Sequence, residues 1–190
     1  MKVTVKQITT WERVVDAARL TSHKPPLGRE PQEQWKKRAI LCEHSPIRLL
    51  EFDIIIEDIP SWVSVHLVRH FLGAEKFVTT QRDDRVDNDV PRGQKPQDAP
   101  VTLQMSCNAQ ALINISRKRL CCQASKETRE VWNAVKKAVT EVDPIVGNAM
   151  VRECVYKGWC YELKPCGYFN TKKYIEEFRS HVEPTATNQG

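Results

Sequence analysis

The segment "HLVRHFLGAEKFVTTQR", His66 to Arg82, passes from an apolar helix into an extended strand, and its reading decides the fold. Gly73 separates the two, because glycine enters the left-handed region that ends helices at little steric cost. "SWVSVHLVRHFL" is predicted as a helix with Trp62, His66, Arg69 and His70 at i, i+4, i+7 and i+8, hence on one face. A guanidinium and two imidazoles on a half-buried face ask for an anion or a ring to hold. Arginine suits that task, since its planar fork grips a phosphate or a pyrimidine edge at two points. The plainer reading is a helix end whose polar groups are satisfied locally.

Upstream, "KVTVKQI" alternates as a strand and "TTWERVVDAARLTS" reads as a helix capped by Thr9 or Thr10. "QEQWKKRAILCEH" is a second helix, with Trp35, Ala39 and Leu41 or Cys42 inward. "SPIRLLEFDIIIEDIP" is a strand, after which Asp58 and Pro60 start the His66 helix. Downstream, Asp83 to Pro100 is polar and aperiodic and holds three prolines. It reads as an exposed loop, mobile without ligand, of a length that suits a lid or an insertion. "SCNAQALINISRKRLCCQ" is predicted as a helix capped by Ser106, with Asn108, Leu112, Ile115, Arg119 and Cys122 or Gln123 on one face. "SKETREVWNAVKKAVTEV" follows, capped by Ser125, with Val131, Val135, Val139 and Val142 as its stripe. A Cys-rich segment and a short helix, "TKKYIEEF", close the fold, and "EPTATNQG" reads as a disordered tail.

A chain of 190 residues, 41% apolar, suits one α/β domain: residues 1–150 as the body and 151–190 as its Cys-rich extension. The excess of 29 basic over 24 acidic residues, +5, is spread along the chain. It suits phosphorylated small molecules at least as well as nucleic acid, for which a local patch would be the signal, so no nucleic-acid partner is expected. No apolar run approaches the roughly 20 residues that span a bilayer, and the N-terminus shows no signal-peptide core; the expectation is a cytoplasmic protein without a membrane partner.

Seven cysteines, an odd number, point to free thiols or metal ligands over a disulfide framework. Cys154, Cys160 and Cys166 are the residues a zinc site would use, but the usual C-x(2–4)-C knuckles are absent, and buried thiols are the plainer reading. A nucleophilic cysteine would need a positioned His–Asp partner, which no motif supplies. Neither GxGxxG nor GxxxxGK[ST] occurs.

The order of pieces resembles the flavin-dependent thymidylate synthases over about Lys2 to Asp143. The resemblance rests on "AARLT" (Ala17 to Thr21), "EHSPIRLLEF" (Glu43 to Phe52), "RHF" (Arg69 to Phe71) leading to Thr80 and Arg82, and "NAQALINISRKR" (Asn108 to Arg119). It implies a compact α/β fold with a central sheet flanked by helices, assembled as a homotetramer. It implies FAD as cofactor, a deoxypyrimidine nucleotide as substrate, and methylenetetrahydrofolate and NADPH as co-substrates. Thr21, Ser45, Arg69, His70, Asn108, Asn114 and Gln123 would approach FAD. His66, Thr80, Arg82 and Arg119 would approach the nucleotide, with Arg119 as the group that stabilises charge on the pyrimidine and matters to turnover, not to folding. The family pattern is broken at Phe71, Gln110 and Gln123, where arginine, arginine and histidine are usual, and a helical stretch is replaced by the Asp83–Pro100 loop. The implied reaction is C5 methylation of dUMP. Hydroxymethylation of dUMP or dCMP, or a non-catalytic nucleotide-binding relative, are the alternatives.

Overall fold

A computed structural model describes residues 1–87 and 89–186 of the chain. Four strands form one antiparallel sheet in the order β1-β2-β4-β3: β1 (Lys2–Gln7), β2 (Glu51–Pro60), β3 (Ala74–Val78) and β4 (Pro100–Asn108). Period-2 alternation sets its faces. Phe52, Ile54 and Ile56 of β2 and Leu103 and Met105 of β4 are fully buried, whereas Ile55, Gln104, Ser106 and Phe77 point to solvent. Each of those large buried side chains contributes about 1.5–3 kcal/mol over its exposed state.

Against the buried face lie α1 (Trp11–Leu20), α2 (Glu33–Leu41), α3 (Ser61–Val68), α4 (Ala109–Arg119), α5 (Lys126–Val142) and α6 (Pro144–Ala149). Trp132 of α5 is completely buried, and its Nε1 donates to Ser116 Oγ of α4 at 2.9 Å. Trp11 Nε1 donates to Asp143 at 2.7 Å, and the other carboxylate oxygen of Asp143 caps α6 through Ile145 N and Val146 N, both at 3.0 Å. Two further helices, α7 (Glu153–Lys157) and α8 (Lys172–Ala186), build a second, small core of Val151, Val155 and Tyr174.

The structure corrects several boundaries. The "SPIRL" residues form a 3-10 turn ahead of β2. Asp58 starts no helix: it sits inside β2 at φ +57°, where the register shifts between Ile56 and Ile59, and a bulge there redirects the strand into α3. Helix α3 ends at Val68, so Arg69 and His70 lie at and beyond its end. Strand β4 continues to Asn108, which caps α4 in place of Ser106, its Oδ1 accepting from Ala111 N at 2.9 Å. Ile40, not Leu41 or Cys42, joins Ala39 in the core. Val142 is 40% exposed, and Trp132 takes its share of the apolar stripe. Helix α8 runs on to Ala186, through half of the tail read as disordered; residues 187–190 lie outside the described residues. Thr10 occupies the cap position of α1 without a side-chain bond, while Thr9 Oγ1 donates to Leu49 O at 2.6 Å.

Candidate active site

Helices α3 and α4 bring His66, His70 and Arg119 together. Arg119 Nε donates to His70 Nε2 at 2.8 Å, and Arg119 Nη2 donates to the His66 carbonyl at 2.7 Å. That carbonyl belongs to the last turn of α3 and has no onward helical partner, so Arg119 satisfies it. Burial, helped by Arg119 and Lys76, brings the His70 pKa down to about 4. The ring is therefore neutral near pH 7. With Nε2 accepting from Arg119, its proton resides on Nδ1. Arg119 itself loses basicity through burial and the neighbouring Arg69. Arg69 is exposed and carries no ion pair among the described residues.

Sequence reasoning missed two supports of this group. Thr128 is fully buried, with Oγ1 3.1 Å from His66 Nδ1, and it accepts from Ser125 Oγ at 2.9 Å. Its signal was available: a hydroxyl standing where the apolar stripe of α5 begins, one turn before Val131 and Trp132. Lys76 occupies an inward position of β3 between Ala74 and Val78, where a cation is out of place. Its Nζ donates to the carbonyls of His70 and Ala74, pinning the turn after α3.

Gly73 fixes the approach of the two segments. It takes φ +70°, and an added Cβ would lie 2.7 Å from Asn108 Nδ2. Asn108 N also donates to the Gly73 carbonyl at 3.0 Å. Asn108 is thus engaged twice in holding α4 against the turn, through Oδ1 and its backbone N.

The other expected site residues do not join the cluster. Thr21 ends α1, exposed, with Oγ1 donating to Ala18 O at 2.8 Å, and Ser45 begins the 3-10 turn, also exposed. Their chain neighbours Ser22 and His44 line a cavity of about 470 Å³ between α1 and α2, whose wall also carries Arg19, Lys24, Arg29, Glu30 and Trp35. Asn114 is exposed, with Oδ1 accepting from Gln110 Nε2 at 3.3 Å and from Arg117 Nη1 at 3.1 Å. Gln110 also donates to Glu43 at 2.6 Å, and Arg117 pairs with Glu43 and stacks 3.5 Å over the Tyr156 ring. Arg117 is therefore a half-buried structural ion pair, not part of a solvated helix end. Gln123 donates to Lys164 O at 2.5 Å, so the C-terminal segment takes the donor expected for FAD. Thr80 Oγ1 accepts from Arg82 N at 3.2 Å, and Arg82 grips Asp84 through Nε at 2.8 Å and Nη2 at 2.5 Å. The end of the Asp83–Pro100 loop docks on α3: Ser61 N donates to Ala99 O at 3.0 Å and Trp62 N to Gln97 O at 3.3 Å. Residue 88 of that loop lies outside the described residues.

Among the described residues, no helix is long and apolar enough to cross a membrane. No protein-family model matches the chain, and no curated protein matches it in sequence. Solved structures do match in fold. The flavin-dependent thymidylate synthase ThyX of Helicobacter pylori, complexed with FAD and dUMP, superposes with a TM-score of 0.67 at 15% identity, covering 80% of this chain and 100% of that one. A second structure of the Helicobacter pylori enzyme, also with FAD and dUMP, gives 0.64 at 17% identity over 79% and 99%. The UMP/dUMP methylase PolB of Streptomyces cacaoi, bound with 5-Br dUMP, gives 0.61 at 15% identity over 78% and 94%. The sheet, the α3 turn and the Arg119 helix described above are thus parts of one known architecture: this chain has the fold of the flavin-dependent thymidylate synthases.

Proposed function

We propose that the protein is a flavin-dependent enzyme that alkylates C5 of a pyrimidine deoxynucleotide, with methylation of dUMP to dTMP from methylenetetrahydrofolate as its reaction and NADPH as reductant. The observation that carries the reading is the Arg119–His70–His66 group, set on the turn between α3 and β3 of this fold. The neighbours' bound FAD and dUMP support it.

The residues present fit a flavin. Arg69 and His70 offer an unpaired cation and an Nδ1–H donor side by side, a donor set for an electron-rich ring and its phosphates. The cavity lined by Ser22 and His44, the chain neighbours of Thr21 and Ser45, sets Arg19, Lys24 and Arg29 against one carboxylate, Glu30, a balance that suits a pyrophosphate. When bound, the flavin supplies the hydride chemistry. Asn108, Asn114 and Gln123 each make a hydrogen bond within the protein that a flavin contact would share or displace.

The protein's own work is to hold the base and to stabilise charge on it. Arg119 uses Nε and one Nη2 hydrogen within the protein and keeps its other Nη hydrogens for the O2/N3 edge of the pyrimidine. Arg82 holds the nucleotide phosphate, exchanging its grip on Asp84 for the stronger anion. His66 is held by Thr128 at the back of the site. A thiol nucleophile is disfavoured: burial pushes Cys107, the cysteine beside Lys76, up to about 12, so it stays protonated at neutral pH.

Titration of the purified protein with FAD, followed by flavin fluorescence, tests this directly. Saturable quenching that Arg69→Ala and His70→Ala weaken is expected. A protein that binds no FAD at high micromolar concentration is not this enzyme.

A further inference from the structure

Five of the seven cysteines meet at a place the proposed chemistry does not use. Cys121 and Cys122 follow α4, Cys154 lies on α7, and Cys160 and Cys166 lie between α7 and α8. All five line one cavity of about 200 Å³. Cys121 is the hub: it stands within electrostatic reach of Cys122, Cys154 and Cys166, and Cys154 in turn reaches Cys160. Every one is a free thiol. Lys118, Arg152 and Lys157 stand in the same wall, cations where thiolates would gather.

The segment that brings Cys160 and Cys166 is fastened by Gln123 at Lys164 O and by Trp159 against Phe169, with little buried apolar surface beside them. Trp159, Tyr161 and Leu163 are all exposed, Leu163 completely, and the nearby core is only Val151, Val155 and Tyr174 with their partly buried neighbours. So small a core needs a staple, and a cluster of free thiols supplies one by binding metal.

We propose that Cys121, Cys154, Cys160 and Cys166 bind one thiophilic divalent ion of the zinc class, which fastens the C-terminal segment to the end of α4. Among the described residues, no three donors already stand in ligating geometry. The ion therefore gathers them, as metal binding and local folding are coupled. Each thiol gives its proton to solvent as its sulfur–metal bond forms. Four thiolates on a divalent cation carry a net charge of about −2, in a wall where Lys118, Arg152 and Lys157 outnumber Glu153 and Glu162 by one. The stretch from Cys160 to Cys166 carries no helix or strand, so closing on the ion breaks no regular element. Cys122 neighbours Cys166 but does not reach Cys154; Cys121 reaches both, and Cys122 stays outside the set.

The test is metal analysis of full-length protein purified under reducing conditions without chelator, together with Co²⁺ titration of the metal-free protein. One zinc per chain is expected, and Co²⁺ should give the strong visible bands and thiolate charge-transfer absorption of a tetrahedral sulfur site. Cys154→Ser and Cys160→Ser should lose both signals; Cys122→Ser and Cys42→Ser should keep them. Wild-type protein with no metal and no thiolate–cobalt spectrum overturns the proposal. So does a Cys122–Cys166 disulfide found by mass spectrometry in that same preparation, or full metal retention by Cys154→Ser. No flavin or nucleotide enters these readouts, so their failure leaves the proposed reaction untouched.

Discussion

Arg119 and His70 are joined through Arg119 Nε and His70 Nε2 at 2.8 Å, and the same guanidinium closes the end of α3 through the His66 carbonyl. The residue that would polarise the substrate is thus also a fastener between α3 and α4. Arg119→Ala should cost about 2–3 kcal/mol of stability, since it strands a buried carbonyl and an imidazole. It should also lose on the order of 2–4 kcal/mol of transition-state stabilisation, roughly a hundredfold or more in turnover. Lys118→Ala, at an exposed side chain weakly paired to Glu153, should change neither. Denaturant unfolding and steady-state kinetics on the two variants check this; equal, small effects would remove Arg119 from the site. The sequence alone implied an effect on turnover only, because the His66 carbonyl contact is invisible there.

His70 gives the fold a pH dependence of definite sign. Its folded pKa of about 4 lies below the ordinary 6.5, because burial disfavours the charged ring. The unfolded chain therefore binds more protons between these values, and stability is present above about pH 6.5 and falls as pH drops towards about 4. For a ring only half shielded from solvent, the loss is on the order of 1–2 kcal/mol. Urea unfolding from pH 7 to pH 4, in wild type and His70→Gln, should show a steeper acid loss in the wild type. Parallel curves would mean that His70 is not held neutral.

Gly73 and Asn108 form a second coupled pair. Gly73→Ala must accept φ +70° and push the Asn108 amide away from 2.7 Å, costing roughly 1–3 kcal/mol. Asn108→Ala loses the α4 cap, about 1 kcal/mol. The double variant should be less destabilised than the sum, because removing the amide opens the space that the new methyl needs. Additive unfolding energies would deny the contact.

Much of this was legible from residue order. The Ile- and Phe-rich run "EFDIIIEDIP" marked β2, Ser125 marked the start of α5, and "RHF" with "NAQALINISRKR" marked the fold. What was illegible depended on tertiary packing. Asn108, a flavin contact by resemblance, also caps α4 and closes on the Gly73 turn, roles that its place in the motif does not announce. Periodicity carried α3 on to Leu72, but the helix ends at Val68, and the turn beyond it is fixed by Lys76, a residue six positions from His70 that no local pattern connects to it. The gathering of five cysteines from segments more than thirty residues apart leaves no trace in their spacing.

Exposed apolar side chains point to assembly. Phe71, Leu72 and Phe77 are 73%, 74% and 65% exposed, beside the turn that carries His70 and on the open face of the sheet. Water contact over such a patch is costly, and a symmetric oligomer, a homotetramer in the present reading, would cover it. Light scattering should give a mass above that of one chain, and Phe71→Asp with Phe77→Asp should lower it. A wild-type monomer at micromolar concentration would contradict this.

Arg82 offers a test of the phosphate assignment. Asp84 holds its guanidinium at two points on the surface. Arg82→Ala should weaken dUMP binding, whereas Asp84→Ala should leave it equal or tighter by freeing the cation. Calorimetric titration with dUMP and with deoxyuridine separates phosphate recognition from base recognition; an unchanged dUMP affinity in Arg82→Ala would place the phosphate elsewhere.

The central claim is tested most directly by the fate of the pyrimidine C5 hydrogen. Purified protein with FAD, NADPH and methylenetetrahydrofolate is given dUMP carrying tritium at C5, with dCMP in parallel, and both released label and product mass are followed. The account predicts release of label from dUMP, a product bearing one added methyl group, and loss of both when FAD is withheld or Arg119 is replaced. Flavin-loaded protein that releases no label from dUMP, or that acts equally without flavin, would contradict it.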